Sequence, residues 1–195
     1  MFRRLAILIV ALSGSLGWAP ATFAQAPESV SSEYLIKAGF IFNFAKFVEW
    51  PSNAFAQPDS PIVIGILGTD PFGTIIDKIV QDKKIGMRGF VVKRLKWGPD
   101  LKELKECKIL FVSASEKAHM DELVQIVKGL PILTVGETPG FAERGGVIRF
   151  VLEDNRIRFE VNVLAAQQAD LTISSRLLTL ARIIQQPAVD SRKPG

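Results

Sequence analysis

The sequence predicts an α/β fold: a single-layer, mostly parallel sheet flanked by helices, with an antiparallel hairpin near the C-terminus, arranged as a Rossmann-like three-layer sandwich. Two observations lead to this prediction. From Pro61 onward, short apolar runs of strand length alternate with helical patterns, a rhythm typical of parallel sheets. Further along the chain, two runs of alternating apolar and polar residues flank Asp154-Asn155, a favourable two-residue hairpin turn.

The N-terminal residues are typical of a secretory signal peptide. Arg3 and Arg4 precede the apolar run Leu5–Leu12, and Thr22-Phe23-Ala24 offers small residues at the positions that signal peptidase requires. The apolar run is shorter than the roughly 20 residues of a membrane-spanning helix, which argues against a membrane anchor. We therefore expect residues 1–24 to be removed and the mature chain to be exported.

The mature chain, residues 25–195, has a length typical of one domain, with an ordered core that we place at about residues 31–186. Loss of Arg3 and Arg4 with the signal lowers the formal net charge of +4 by two, and basic residues are interspersed with acidic ones. These features predict no nucleic-acid partner and no direct membrane insertion of the mature chain.

The stretch Tyr34–Trp50 is the most apolar of the mature chain and predicts a helix, with Ser31 or Ser32 to cap its start and Pro51 to end it. A helix that is apolar on most sides must be buried on most sides, so it either lies deep in the fold or presents one face to a partner. Its aromatic residues are Phe40, Phe42, Phe44, Phe47 and Trp50.

The parallel strands are predicted from four apolar runs: Ile62–Leu67, Gly89–Leu95, Ile109–Val112 and Ile132–Val135. Between the first two runs, Asp70 is placed to cap a helix that has Pro71 at its first position and continues to Val80. After the third run, Ser113-Ala114-Ser115 leads into a helix around Met120–Val127. The alternation of strands and helices supports the parallel sheet.

The hairpin is the most specific structural prediction. Pairing Val147–Leu152 with Arg156–Val161 places apolar partners on one face and opposite charges on the other, which fixes the register. The predicted pairs are Leu152 with Ile157, Phe150 with Phe159, Ile148 with Val161, Glu153 with Arg156, and Arg149 with Glu160.

Two helices are predicted beyond the hairpin. Asn162 is placed to cap the first, Val163–Gln168. Ser174 or Ser175 begins the second, whose apolar residues run to Ile184.

The sequence offers no catalytic constellation, and we predict no catalytic, cofactor-binding or metal-binding residues. His119 is the only histidine and lies among charged residues typical of a solvated helix face. Cys107 is the only cysteine, which excludes an intramolecular disulfide, and its place before an apolar strand predicts a small buried side chain. Ser113 and Ser115 lack the surroundings of a nucleophile elbow.

The mature chain carries an ordered set of motifs: Tyr34–Pro51, Val135-Gly136-Glu137, Gly145-Gly146-Val147-Ile148, Phe159-Glu160-Val161-Asn162 and Leu171–Ala181. In this order they resemble the YfiR family of exported bacterial proteins. The resemblance implies a periplasmic regulator without catalytic activity, which restrains an inner-membrane diguanylate cyclase through its periplasmic sensory domain and so lowers cyclic di-GMP. With Cys107 as its only cysteine, this chain departs from cysteine-richer relatives, and disulfide-based redox control is not expected.

The first functional hypothesis is therefore a regulator that uses the Tyr34–Trp50 helix to contact a membrane signalling protein or a second copy in a homodimer. Its candidate anchors are Phe40, Phe44, Phe47 and Trp50, because aromatic side chains often dominate interface energy. The alternative is that these residues are simply core.

The second hypothesis is a periplasmic small-molecule binding protein. Its pocket would lie near Gly68, Ser113 and Gly136, at the carboxyl ends of predicted parallel strands, where α/β sheets hold ligands. A third class, an exported hydrolase, has little support in a chain with one histidine and no nucleophile motif.

Overall fold

A sheet lies between two helical layers in the computed structural model, which describes residues 28–98 and 100–184. The predicted signal peptide, residues 1–24, lies outside the described residues. So does the predicted end of the ordered core near residue 186. Within the described part, the sheet has seven strands, and a separate pair of short strands joins the end of the first helix to the chain beyond the hairpin.

The helices and strands follow the alternation that the sequence predicts. In chain order they are α1 (Glu28–Phe47), β1 (Val48–Glu49), β2 (Ile62–Leu67), α2 (Ile75–Val80), β3 (Phe90–Leu95), β4 (Ile109–Val112), α3 (Met120–Val127), β5 (Leu133–Gly136), β6 (Ile148–Glu153), β7 (Arg156–Asn162), α4 (Val163–Gln168), β8 (Thr172–Ile173), α5 (Ser175–Leu178) and β9 (Arg182–Ile184). Three 3₁₀ helices complete them: Ser52–Ala54, Leu101–Glu106 and Ala114–His119.

The strand order across the sheet is β3-β2-β4-β5-β6-β7-β9. The first five strands run parallel, β6 and β7 form the antiparallel hairpin, and β9 lies parallel to β7 at the edge. The predicted mostly parallel α/β fold with an appended hairpin is therefore confirmed.

Both faces of the sheet are buried, each against its own helices. Alternate residues of β4 point to opposite sides, so Ile109 and Phe111 join the core beneath α1, whereas Leu110 and Val112 join the core beneath α3. All four side chains are buried, as expected for a central parallel strand covered on both sides. Two cores on one sheet make the three-layer sandwich.

The hairpin register is the predicted one at each of the five pairs. Asp154 and Asn155 have φ of 49° and 58°, the positive values that a two-residue type I′ turn requires. On the polar face, Arg149 Nη1 lies 3.0 Å from Glu160 Oε2. The local turn and the pattern of the two strands therefore determine this part of the sheet.

The start of α2 corrects one prediction. Asp70 caps no helix; its Oδ1 accepts hydrogen bonds from the backbone N–H groups of Phe72 (2.7 Å) and Gly73 (3.2 Å) in a turn. Gly73 has φ of +52°, a left-handed conformation that interrupts any helix passing through it. The helix therefore begins only at Ile75.

The C-terminal helix is also shorter than predicted. Ser174 caps it, but α5 ends at Leu178, and Arg182–Ile184 form β9 instead of further helical turns. β9 pairs with the edge of β7, Val161 opposite Ile183. The open hydrogen-bonding edge of β7 and the β-branched side chains of Ile183 and Ile184 favour the strand over the helix.

The bounds of α1 differ from the predicted ones at both ends. The helix begins at Glu28, so neither Ser31 nor Ser32 caps it, and it ends at Phe47, because β1 pairs with β8 in an antiparallel bridge. Over the described residues, neither α1 nor any other helix is both long and apolar enough to cross a membrane.

Cys107 is fully buried two residues before β4, and its burial is the predicted one. A Cβ on Gly65 of the neighbouring strand would lie only 2.6 Å from the Cys107 sulfur, so the glycine makes room for the thiol. Burial raises the pKa of the Cys107 thiol to about 11, which suppresses the reactive thiolate at neutral pH.

We expect Cys107 to resist a thiol-specific reagent at about pH 8 in the native protein, and to react completely after unfolding in denaturant. A Met87→Cys variant supplies the control, because Met87 is 65% exposed and its replacement adds an accessible thiol. Rapid labelling of the native wild-type thiol would contradict the buried environment described above.

Candidate partner-binding helix and the ion-pair network beside it

One face of α1 is buried against the sheet. The residues of this stripe recur every three or four positions: Ala38, Ile41, Phe44, Ala45 and, just beyond the helix, Val48. Phe44 is fully buried, with its ring centroid 5.7 Å from that of Phe150 and 5.2 Å from that of Phe159. The helix therefore packs its aromatic face on the apolar face of the hairpin.

The four predicted anchors occupy two different environments. Phe44 belongs to the core, the alternative that the sequence left open, and it cannot meet a partner while α1 stays on the sheet. Phe40 is partly buried over Phe159, with 5.5 Å between ring centroids. Phe47 and Trp50 are partly buried at the far end of the helix. A partner role for Phe40, Phe47 and Trp50 stays a prediction.

Trp50 lies beside a surface groove of about 480 Å³. Its ring packs edge-on against Phe55, with centroids 6.3 Å apart, and its indole Nε1 is buried without a hydrogen-bond partner among the described residues. The exposed side chains of Glu49 and Asp170 also line this groove and give it an acidic character. The full lining is Glu49, Trp50, Pro51, Gln167, Asp170, Leu171 and Thr172.

A buried ion-pair network lies near the other end of α1. Lys37 is 4% exposed, and its Nζ lies 2.6 Å from Glu137 Oε2 and 2.5 Å from Glu33 Oε1. Tyr34 donates a hydrogen bond from its hydroxyl to Glu137 Oε1 at 3.1 Å. Because Glu137 directly follows β5, the network ties α1 to the carboxyl edge of the sheet.

This network has a structural role, because it attaches α1 to the sheet. Lys37 needs its two carboxylates because an unpaired buried ammonium is costly. Burial, followed by the negative charge of Glu137, raises the pKa of Tyr34 well above its ordinary value. The Lys37 ammonium also lies 4.6 Å from the centroid of the Tyr34 ring, a cation–π distance.

This network was not predicted from the sequence. Two features of the sequence point to it: Lys37 interrupts an apolar helix, and Glu137 follows a strand. Both residues lie in motifs that carry the family resemblance. Nothing in the sequence shows that residues 100 positions apart meet.

The structure brings the three residues of the predicted ligand pocket together, but neighbouring side chains occupy the space between them. Gly68, Ser113 and Gly136 follow or end the adjacent strands β2, β4 and β5, so they share one edge of the sheet. A Cβ on Gly68 would collide with Glu116, and one on Gly136 would lie 2.7 Å from the ring of Phe141. A ligand there would have to displace these side chains, so this site stays a prediction.

His119 has closer neighbours than a fully solvated helix position would have. Its ring stacks on Trp97, with centroids 4.3 Å apart, and its Nδ1 lies 3.0 Å from Glu116 Oε2. Glu116 Oε1 accepts a hydrogen bond from the Ser115 hydroxyl, and Ser113 caps the same 3₁₀ helix. Among residues 28–98 and 100–184, no cluster of histidine, cysteine and carboxylate side chains could hold a metal ion.

Comparison with known proteins identifies one family. A family model described as YfiR/HmsC-like matches residues 34–182. No curated protein matches the chain in sequence.

Two solved structures match the chain. One is a conserved domain protein from Vibrio cholerae, with a TM-score of 0.51 and 9% identity over 78% of this chain and 60% of that one. The other is the ABC domain in complex with L-Trp from Streptococcus pneumonia, with a TM-score of 0.47 and 13% identity over 63% of this chain and 55% of that one. The chain thus spans less than two thirds of either protein. The Vibrio cholerae structure supports the α/β fold alone.

Glu137→Gln should destabilise the protein by about 3 kcal/mol, because it leaves the buried Lys37 with Glu33 as its remaining carboxylate. The matched control is Glu106→Gln, which removes a carboxylate 2.7 Å from Lys93 in an exposed ion pair. We expect that control to leave the free energy of unfolding nearly unchanged, because water screens an exposed pair. Urea unfolding measures both, and equal losses would contradict the role assigned to the network.

Tyr34 should make the protein alkali-sensitive. Its raised pKa in the folded state means that its contribution to stability is present in full below about pH 10, the ordinary tyrosine value, and is lost as pH rises above it. Because Tyr34 is the only tyrosine, tyrosinate absorbance reports its titration directly. Tyr34→Phe should remove this part of the alkaline loss of stability; an ordinary titration in the native protein would contradict the burial.

Proposed function

Because the chain belongs to the YfiR/HmsC-like family, we propose that it binds the periplasmic part of an inner-membrane diguanylate cyclase and restrains it, which lowers cyclic di-GMP. The observation that carries the proposal is the extent of the family match, residues 34–182, which includes most of α1 and at least part of each of the nine strands in the described residues. The family supports a periplasmic regulator of cyclic di-GMP signalling in general; the cyclase as target is our proposal.

The end of α1 is the partner surface that we propose. Phe47 and Trp50 are partly buried there, so each keeps an accessible edge while the core holds the rest of the ring. Partly buried aromatic side chains beside a groove are typical of interface anchors. The acidic rim, with Glu49 and Asp170, favours a partner segment that carries basic residues.

The rest of the fold holds this surface rigid. Phe44 fixes the last turn of α1 on the hairpin, and the Lys37–Glu137 pair fixes the middle of the helix on the sheet. A surface ordered before binding loses little conformational entropy when the partner docks. Export through removal of residues 1–24 and assembly as a homodimer complete the proposal.

The test compares cyclic di-GMP in cells that lack the gene with cells complemented by variants. We expect deletion to raise cyclic di-GMP and the wild-type chain to restore it. Trp50→Ala should weaken partner binding by about 2 kcal/mol, roughly thirtyfold, and Glu49→Lys should repel the basic partner segment. Both should fail to restore the low level although the chain is folded and exported.

The matched control is Glu122→Lys, which makes the same charge change on the exposed side of α3, away from the groove. It should complement like the wild type. Unchanged cyclic di-GMP after deletion would overturn the regulator, whereas full complementation by both Trp50→Ala and Glu49→Lys would overturn only the surface. Affinity capture of membrane proteins with the tagged chain identifies the target, and a retained protein without a cyclase domain would contradict that part of the proposal.

A further inference from the structure

A small cavity lies between α3 and α4, at the amino ends of β5 and β6. Its volume is about 190 Å³. Ile132 and Val147, which directly precede these two strands, are buried in its lining. The cavity therefore lies at the edge of the parallel strands opposite the predicted ligand pocket, and it shares no lining residue with the groove beside Trp50.

Small aliphatic side chains leave this space open. Ala165 and Ala169 are one helical turn apart and face the cavity from α4. The apolar side chains of the described lining are all aliphatic: Val124, Val127, Ile132, Val147, Ala165 and Ala169. An engineered cavity of about 150 Å³ holds a six-carbon apolar molecule, so this one has room for a short branched aliphatic group beside a polar headgroup.

The charged residues of the described lining are both cations, Lys128 and Arg144. Lys128 directly follows α3, and Arg144 lies in the loop before β6. Arg144 Nη1 lies 3.6 Å from Asp121 Oδ1, but the Asp121 side chain is 83% exposed. Because water screens such a pair, the guanidinium remains available to another anion.

The loop that carries Arg144 is held by hydrogen bonds. The backbone N–H of Arg144 donates to the carbonyl of Gly140 at 3.1 Å, and that of Gly145 donates to the carbonyl of Ala142 at 3.2 Å. The buried Asn162 also donates from Nδ2 to the Ala142 carbonyl, at 2.7 Å. An ordered loop loses little conformational entropy when its arginine binds a ligand.

The side chains around the cavity indicate which headgroup it suits. A guanidinium binds a carboxylate through two parallel hydrogen bonds, and an ammonium adds a second positive charge. The exposed amides of Gln125 and Gln168 can donate further hydrogen bonds. Because the described lining contains no acidic side chain, it offers no partner to an ammonium group on the ligand.

We propose that this cavity binds a short branched aliphatic carboxylate that carries no amino group. The carboxylate lies between Arg144 and Lys128, and the aliphatic group lies against Val147 and Ala169. The inference goes beyond the proposed function, because neither the restraint of a cyclase nor the surface beside Trp50 requires a ligand.

Nuclear magnetic resonance of the ¹⁵N-labelled complete chain, purified in the form that the cell accumulates, tests the site with 4-methylpentanoate as the probe. The backbone amides of Gly129 and Gly145, which belong to the lining, should shift, whereas those of Gly73 and Gly86, outside it, should not. The titration should give a dissociation constant below about 1 mM, in the range expected for a ligand of so few atoms.

Three matched compounds test the chemistry of the ligand. L-leucine adds an amino group to the probe, 4-methylpentanamide removes its negative charge, and acetate removes most of its aliphatic part. Each should bind at least tenfold more weakly than 4-methylpentanoate, because each lacks one feature that the lining complements.

Three variants test the residues. Arg144→Gln should weaken binding of the probe at least tenfold, and Ala169→Leu should abolish it by filling the cavity. The matched control is Lys102→Gln, which removes an exposed positive charge outside the lining and should bind like the wild type. Because Arg144 is exposed, its variant should fold even where the larger side chain at position 169 does not.

Three outcomes would overturn the carboxylate site: unshifted amides of Gly129 and Gly145 at about 10 mM probe, equally tight binding of L-leucine, or wild-type affinity in the Arg144→Gln chain. Failure of the proposed function is separate, since deletion of the gene would then leave cyclic di-GMP unchanged while the purified chain still bound the probe.

Discussion

The burial of α1 against the hairpin holds the helical layer on the sheet. α1 places Phe44 against Phe150 and Phe159, the central apolar pair of the hairpin, and so covers strands that would otherwise expose a hydrophobic face. Truncating a fully buried phenylalanine costs about 3–5 kcal/mol, a large part of the stability of a domain this size. The chain therefore cannot lift α1 to expose this aromatic face without losing much of its fold.

The ion pair beside that helix serves orientation more than stability. A buried salt bridge recovers in attraction roughly what it loses in desolvation, whereas removing one partner leaves a buried charge uncompensated. Lys37 reaches Glu137 because α1 lies over the sheet with this side chain turned toward the carboxyl end of β5. In this placement of α1, Leu35 and Ile36 face outward.

α1 has two roles in this structure, one in the core and one at the surface. The inner face of α1 completes the core, while Leu35 and Ile36 on its other side and the segment beside Trp50 remain at the surface. The edge of the sheet where α/β proteins usually hold a ligand is occupied by the chain's own Glu116 and Phe141. The partner surface that we propose therefore lies at the end of α1, and a ligand at the strand ends would have to displace Glu116 or Phe141.

Features that depend on neighbouring residues could be predicted from the sequence: the central strands, the hairpin register around Asp154-Asn155 and the cap of α4 by Asn162. Turn chemistry, side-chain alternation and capping act over a few residues, so the pattern reveals them. The formation of β9 at the end of a predicted helix could not be predicted in this way, because the edge of β7, a separate segment, provides its hydrogen bonds. The burial of Phe44 in the core and the contact of Lys37 with Glu137 also required the folded structure, since such contacts form between distant segments only after the sheet has brought them together.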